Sequence, residues 1–228
     1  MARTCILHEH KKSAILADFW YTIPYMELNK TYDLIAEDWH AQHQNDDWWA
    51  GGTDVFTSLV KPGGLVLDVG CGGGMKSRYL IKKGLRVVGI DFSKKMIEIA
   101  KREVPEGEFH VLDLHKVGSL GYRFDGIFMQ AVLLHIPRSE AVAVLRSMAS
   151  LLNDGGHLYV AVKDKKEGRP DEGVKQEDDY GYPYKRFFSY FSLDELRDHF
   201  AHAGLAIVFE KVAPVGNTRW IEMIGKRI

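Results

Sequence analysis

Cysteine is nearly absent: Cys5 and Cys71 are the only two in 228 residues. Cys71 lies inside a glycine cluster, where a bridge to the N-terminus would obstruct a ligand, so no disulfide framework is expected and both residues read as free thiols. Long apolar runs are missing too. Nothing approaches the ~18 residues of a membrane span, and the opening MARTCILHEHKK lacks the apolar core of a secretion signal. A cytoplasmic location without a membrane partner is therefore the default expectation. Nor is there an excess of charge of one sign, because 30 lysines and arginines meet 31 aspartates and glutamates for a formal net charge of −1. That balance leaves no overall electrostatic footprint for nucleic acid, and no nucleic-acid partner is expected. Internal repeats and low-complexity tracts are lacking. The His8, His10 and His40, His43 pairs have no third ligand at a convincing spacing, so no metal is expected.

With 46% hydrophobic and 27% charged residues, the chain has the composition of one globular domain with a substantial core. Its organising stretch is LVLDVGCGGG, Leu65 to Gly74. Leu65, Val66, Leu67 and Val69 read as a strand covered on both faces, since a short apolar run bounded by glycines fits that environment. Met75 to Lys83 reads as a helix stopped by Gly84. Strand, glycine turn and helix form the first half of a nucleotide-type βαβ unit, in which glycines let the main chain approach a ligand and free amides at the helix start favour an anionic group.

A dinucleotide fingerprint would need glycine at its sixth position, where Met75 stands. The glycines alternate instead. Asp68-Val69-Gly70-Cys71-Gly72-Gly73-Gly74 resembles motif I, D/E-x-G-x-G-x-G, of the class I S-adenosylmethionine-dependent methyltransferases. The resemblance implies S-adenosylmethionine as cofactor, with Asp68, Gly70, Cys71, Gly72 and Gly74 forming its cradle. It also implies an α/β fold: a Rossmann-like, doubly wound, seven-stranded sheet, mostly parallel, with a C-terminal antiparallel hairpin and flanking helices. Residues 1–60 would form an N-terminal helical cap, and 61–228 the cofactor-binding domain.

The rest of the chain can be taken in that light. Residues 1–26 are apolar and aromatic, compatible with a short helix ending near Pro24. In Glu27 to His43, Tyr32, Ile35, Ala36 and Trp39 fall at i, i+3, i+4 and i+7, an amphipathic stripe. It packs on the domain or, by resemblance to a helix preceding motif I in small-molecule methyltransferases, brings Tyr32 to the cofactor. A second buried strand, Leu85 to Ile90, ends on Asp91, 21 positions beyond Gly70, about where nucleotide folds offer an acid to a ribose. A carboxylate accepts from both hydroxyls of a vicinal diol. The bland alternative, that Asp91 caps the next helix, is better served by Ser93. Phe92 would flank the sugar or base, before a helix over Lys94 to Glu103.

A third strand, Glu108 to Leu112, leads to Asp113 and Leu114, which the resemblance assigns to adenine; an exposed turn aspartate is the alternative. The fourth strand ends at Gln130, expected beside the methionine moiety. QAVLLHIPRSE resembles the post-strand segment of methyltransferases that act on metabolites. Its His135 is a candidate general base, against the reading of a packing or capping histidine. After a helix carrying Ala141, Val144, Leu145, Met148 and Leu152 comes a fifth strand, His157 to Val162. Lys163 to Phe188 is charged first and aromatic later, a loop long enough to be functional. A lid is expected there, with Tyr180, Tyr182 and Tyr184 as candidates to close over a substrate or merely to anchor the segment. Ser192 to Glu195 matches a capping box that opens a helix ending at Gly204. Leu205 to Val212 and Thr218 to Ile224 form the final hairpin through Gly216-Asn217.

The expected reaction is methyl transfer to a small-molecule acceptor by in-line displacement, in a monomer or homodimer. Competing readings are a cofactor-binding protein without catalysis, a protein methyltransferase and, more remotely, a nicotinamide-dependent oxidoreductase. Enzymes acting on base amino groups carry Asn/Asp-Pro-Pro-aromatic after the fourth strand, where this chain has Gln130-Ala131-Val132-Leu133.

Overall fold

The computed structural model describes residues 27–228; the reading of a helix near Pro24 and both His8 and His10 lie outside them. Residues 27–43 form α1 and Ala50–Leu59 form α2. An alternating stretch follows: β1 (Leu65–Val69), α3 (Met75–Lys82), β2 (Arg86–Asp91), α4 (Lys94–Glu103), β3 (Glu108–Val111) and β4 (Phe124–Gln130). Then come α5 (Ala141–Leu151), β5 (Leu152–Lys163), β6 (Glu172–Glu177), β7 (Tyr184–Ser189), α6 (Leu193–His202), β8 (Leu205–Val215) and β9 (Thr218–Arg227). Seven strands make one sheet in the order β3-β2-β1-β4-β5-β9-β8. The first five are parallel and β9 runs antiparallel between β5 and β8, as the resemblance implies.

The central strands are buried because helices cover both faces. Val66, Leu67, Ile127 and Phe128 are solvent-free, and Phe128 stacks on Tyr159 with ring centroids 4.5 Å apart. The expected caps are present: Ser93 Oγ accepts from Met96 N at the start of α4, and Ser192 and Glu195 complete a capping box on α6. Val215 pairs with Thr218 across Gly216-Asn217, where Gly216 takes the positive φ that a two-residue hairpin demands.

The structure adds to the sequence reading in three places. Helix α2, which the sequence reading does not delimit, contains Gly51 and Gly52, a pair of low helix propensity. Tertiary packing overrides that propensity: a Cβ on Gly52 would lie 1.6 Å from Glu222 Oε2, so a side chain there would have to displace that buried carboxylate. Strand β5 starts at Leu152, five residues early, because Leu152 pairs with Phe124 before a bulge whose Gly155 is left-handed. Finally, the long segment after β5 contains a β-hairpin of its own, β6 and β7, pairing from Glu172↔Ser189 to Glu177↔Tyr184.

That hairpin is anchored beside the carboxyl ends of β4 and β5. Ser189 Oγ donates to Ile136 O at 2.7 Å, Arg138 N donates to Glu172 Oε2 at 2.9 Å, and the Arg138 guanidinium reaches Tyr190 O and Glu195. Helix α1 meets it from the other side, with Thr31 Oγ1 donating to Lys185 O and Tyr182 Oη to Asp38. On its inner face, α1 buries Ile35 and packs Ala36 against Met96 and Ile99 of α4. Its orientation is pinned by Asp33, whose Oδ1 accepts from Ser93 Oγ and Lys95 N.

Candidate active site

A cavity of about 340 Å³ opens over the carboxyl ends of β1, β2 and β4, where open α/β sheets bind ligands. Its floor is the turn after β1. Gly70, Gly72 and Gly74 all take positive φ. A side chain on Gly70 would put its Cβ 2.5 Å from Val132 Cγ2, so the close approach of the β4 loop also requires glycine there. Gly74 lies away from the cavity and serves packing, since a Cβ there would sit 3.0 Å from Val104 and 3.3 Å from Ala100 on α4. Asp68 is buried beneath the turn, its Oδ2 accepting from Ser77 Oγ at 2.6 Å, and burial lifts its pKa to about 7. Cys71 lines the cavity as a buried free thiol whose pKa burial pushes well up.

Asp91 faces the turn from the end of β2. Its Oδ2 accepts from Gly72 N at 3.0 Å and its Oδ1 from Ser93 N at 2.8 Å. The carboxylate thus braces the glycine turn while keeping lone pairs for a ligand. Burial outweighs these amides and raises its pKa to about 6. Ionised Asp91 is the better acceptor, so affinity for a diol is expected to rise with pH through about 6. With about one carboxyl in ten ionised one unit below that value, binding at pH 5 should be roughly tenfold weaker than at pH 8. Calorimetric titrations with S-adenosylhomocysteine across that range measure this, and a flat profile would contradict it.

Gln130 ends β4. Tyr159 Oη lies 3.0 Å from its Oε1, while its Nε2 is buried without a partner among the described residues. A buried orphan donor lining a cavity is costly unless a ligand satisfies it. Ala131 follows in a left-handed conformation, rare for a residue with a side chain and a form of strain that clusters at functional sites.

Tyr32 and His135 form a pair across the cavity wall. His135 Nδ1 lies 2.7 Å from Phe187 O, a group that only accepts, so this nitrogen carries the proton. Nε2, 2.9 Å from Tyr32 Oη, then accepts from the phenol. Burial, with Arg186 and Lys163 nearby, drives the His135 pKa down to about 3. His135 is neutral with both nitrogens engaged, and therefore holds Tyr32 rather than offering a free lone pair. Burial also raises the pKa of Tyr32.

The adenine-side residues divide. Phe92 and Leu114 line the cavity, with Phe92 edge-on to Tyr32 at 6.0 Å. Asp113 is not among the lining residues; its Oδ1 accepts from His115 N, capping the turn over Leu114–Leu120. The tyrosine trio also lies outside the lining. Tyr180, Tyr182 and Tyr184 pack together at the hairpin tip, Tyr184 donating to Asp179 and Tyr182 to Asp38. Burial pushes the Tyr180 pKa up to about 12. The hairpin reaches the cavity through Arg186 and Phe188 instead. The alternation of a strand explains the change, because 184, 186 and 188 share one face and only the latter two extend over the opening.

Three cations in the cavity wall are not singled out by sequence patterns. Lys76, two residues past the glycine turn, lies with Nζ 5.8 Å from the Trp39 ring centroid and 5.5 Å from that of Trp49. Lys163 closes β5 with Nζ 4.3 Å from the Phe188 ring. Burial and neighbouring Arg186 lower its pKa to about 8. Arg186 is gripped by Glu177, Nε to Oε2 at 2.6 Å and Nη2 to Oε1 at 2.9 Å. For Lys163 the available signal was a lysine ending an otherwise apolar strand. His40 and His43 also line the cavity, His43 stacking on Trp39 with ring centroids 4.4 Å apart.

Residues 66–156, from β1 into β5, match the family model described as "Methyltransferase domain". Over that stretch the chain is similar to methyltransferase domains. Among relatives of this chain, the ubiquinone biosynthesis O-methyltransferase of Coxiella burnetii (strain Dugway 5J108-111) is 34% identical over 150 residues, 58% of this chain and 59% of that protein. The protein of the same name from Xanthomonas campestris pv. campestris (strain B100) is 32% identical over 120 residues, 49% of this chain and 48% of that protein. The matched region spans roughly half of these curated relatives. Among solved structures, the Burkholderia thailandensis 1,6-didemethyltoxoflavin-N1-methyltransferase, with 1,6-didemethyltoxoflavin and S-adenosylhomocysteine bound, superposes with a TM-score of 0.69 at 17% identity, covering 96% of this chain and 89% of that one. Magnesium protoporphyrin IX methyltransferase from Synechocystis PCC 6803, with S-adenosylmethionine bound, gives 0.60 at 22% identity, covering 94% and 96%. Both share the fold of this chain.

Proposed function

We propose that this protein transfers the methyl group of S-adenosylmethionine to a small-molecule acceptor by in-line displacement. The observation that carries the reading is the convergence, in one cavity, of the left-handed glycine turn, the Asp91 carboxylate and the unpartnered Gln130 amide. These groups suit the donor. The turn gives main-chain access to the amino-acid end, and Lys76 supplies a cation for its carboxylate. Asp91 takes the ribose hydroxyls, with Phe92 against the sugar or base. Leu114 serves adenine, Asp113 acting through the turn it caps, and Gln130 meets the methionine moiety.

When bound, S-adenosylmethionine supplies an electrophilic methyl carbon already activated by the positive charge on sulfur. The protein's part is to orient an acceptor in line with that carbon and keep water away. Tyr32, fixed by His135, and the rings of Phe188 and Trp220 wall the acceptor side. The β6–β7 hairpin and α1, tied together by Thr31–Lys185 and Tyr182–Asp38, form the covering layer that we assign as the lid and cap of the single domain. A cytoplasmic location fits the composition, and among the described residues no helix is long and apolar enough to cross a membrane.

Calorimetry with S-adenosylhomocysteine and, in parallel, NADH tests the reading. Micromolar binding of the first and none of the second is expected; the reverse would overturn it. Lys76→Gln is expected to weaken S-adenosylmethionine about tenfold, since a charged hydrogen bond is worth roughly 1.5 kcal/mol or more. An unchanged Kd would remove Lys76 from the site.

A further inference from the structure

Resting on the methyltransferase reading, we infer that the acceptor is a flat small molecule bearing an anionic oxygen, a carboxylate or an ionised hydroxyl, which Lys163 and Arg186 hold against the rings of Phe188 and Trp220. Lys163 stands at the carboxyl end of β5, paired in register with Trp220, and Gln130 ends the adjacent strand β4. The acceptor side therefore lies across the cavity from the Asp91 carboxylate on β2.

The charges there do not cancel. Glu177, on this side, is already shared by Arg186 and by Lys175 at 2.9 Å, and buried Glu222, further down β9, accepts from Tyr159 Oη and pairs with Lys211 at 3.8 Å. Asp164, next to Lys163, pairs with Arg219 at 3.3 Å. Among the described residues, no carboxylate lies within ion-pair distance of Lys163 Nζ. Only ring faces hold it, Phe188 at 4.3 Å and Trp220 at 5.8 Å. A half-buried ammonium without a counter-ion, lining a cavity beside a guanidinium, is stabilised by an incoming anion more than by a neutral group. Arg186 is pre-set for this role: Glu177 fixes it bidentately, and its guanidinium carbon lies 5.1 Å from the Phe188 ring.

The same arrangement suits the chemistry. Both nitrogens of His135 are engaged, so it offers no free lone pair to the acceptor, and an acceptor that arrives as an anion needs none. Its lone pair forms the new bond to the methyl carbon as the carbon–sulfur bond breaks, and sulfur takes that bonding pair to become a neutral thioether.

The test is calorimetry on the full chain saturated with S-adenosylhomocysteine, using 2-naphthoate and its uncharged counterpart 2-naphthamide as probes, with 2,4-dinitrophenolate to distinguish an ionised hydroxyl from a carboxylate. At least one anion is expected to bind tenfold or more tightly than naphthamide. Lys163→Gln should erase that preference and Lys163→Arg should keep it, both leaving the S-adenosylhomocysteine Kd within twofold. Equal affinity for charged and neutral probes, no binding by either anion, or a preference that survives in both Lys163→Gln and Arg186→Gln would overturn the inference. Each of those results, obtained with S-adenosylhomocysteine bound, leaves the methyltransferase reading standing. Failure of S-adenosylhomocysteine itself to bind would remove both.

Discussion

Replacing Asp91 with alanine should lower the affinity for S-adenosylhomocysteine at least a hundredfold. Two effects of the same carboxylate add up. In the proposed donor site it offers lone pairs to a vicinal diol, and hydrogen bonds to a charged group contribute about 1.5–3 kcal/mol each, so losing two removes roughly 3 kcal/mol or more. It also braces the glycine turn through Gly72 N and the start of α4 through Ser93 N. The second effect was not visible in the sequence and reaches the amino-acid end of the ligand as well as the sugar. The fold should survive, because the lost brace is offset by relief from a buried carboxylate whose pKa is raised to about 6. A cooperative thermal transition together with unchanged affinity would remove Asp91 from the site.

Gly70→Ala should destabilise the protein by about 2–5 kcal/mol in urea unfolding. Its φ of +64° would cost a residue with a side chain roughly 1–2 kcal/mol, and the new methyl group, 2.5 Å from Val132 Cγ2, adds an overpacking cost of about 1–3 kcal/mol. The two causes separate in a double mutant. Val132→Ala opens space for the methyl, so in that background the penalty of Gly70→Ala should fall to the backbone part alone. A penalty below about 0.5 kcal/mol in the single mutant would mean that the turn does not press on the β4 loop.

Much of the domain was legible because its signals are local. Buried parallel strands are short apolar runs ending in an acid or glycine, and helix ends announce themselves chemically, as Ser93, Ser192 and Glu195 do. The glycines of the turn and Asp91 were legible for the same reason, since each satisfies a backbone or ligand demand set by its own neighbourhood. Helix α2 was not, because Gly52 is there to accommodate Glu222, 170 positions away in the chain. The β6–β7 hairpin was obscured by its charges; Lys175, Glu177 and Arg186 look like solvated loop residues until pairing brings them together.

The chain alone determined the sheet's central architecture and placed glycines and a carboxylate at the strand ends that form the proposed donor end of the cavity. Only the tertiary structure brought together the residues of the proposed acceptor end. Lys163, Arg186 and Phe188 come from a strand end and a distant hairpin, and Tyr32 and His135, 103 residues apart, meet through a single hydrogen bond. Long-range placement of charge leaves no spacing in the sequence, because electrostatics and packing act through space while motifs are written along the chain.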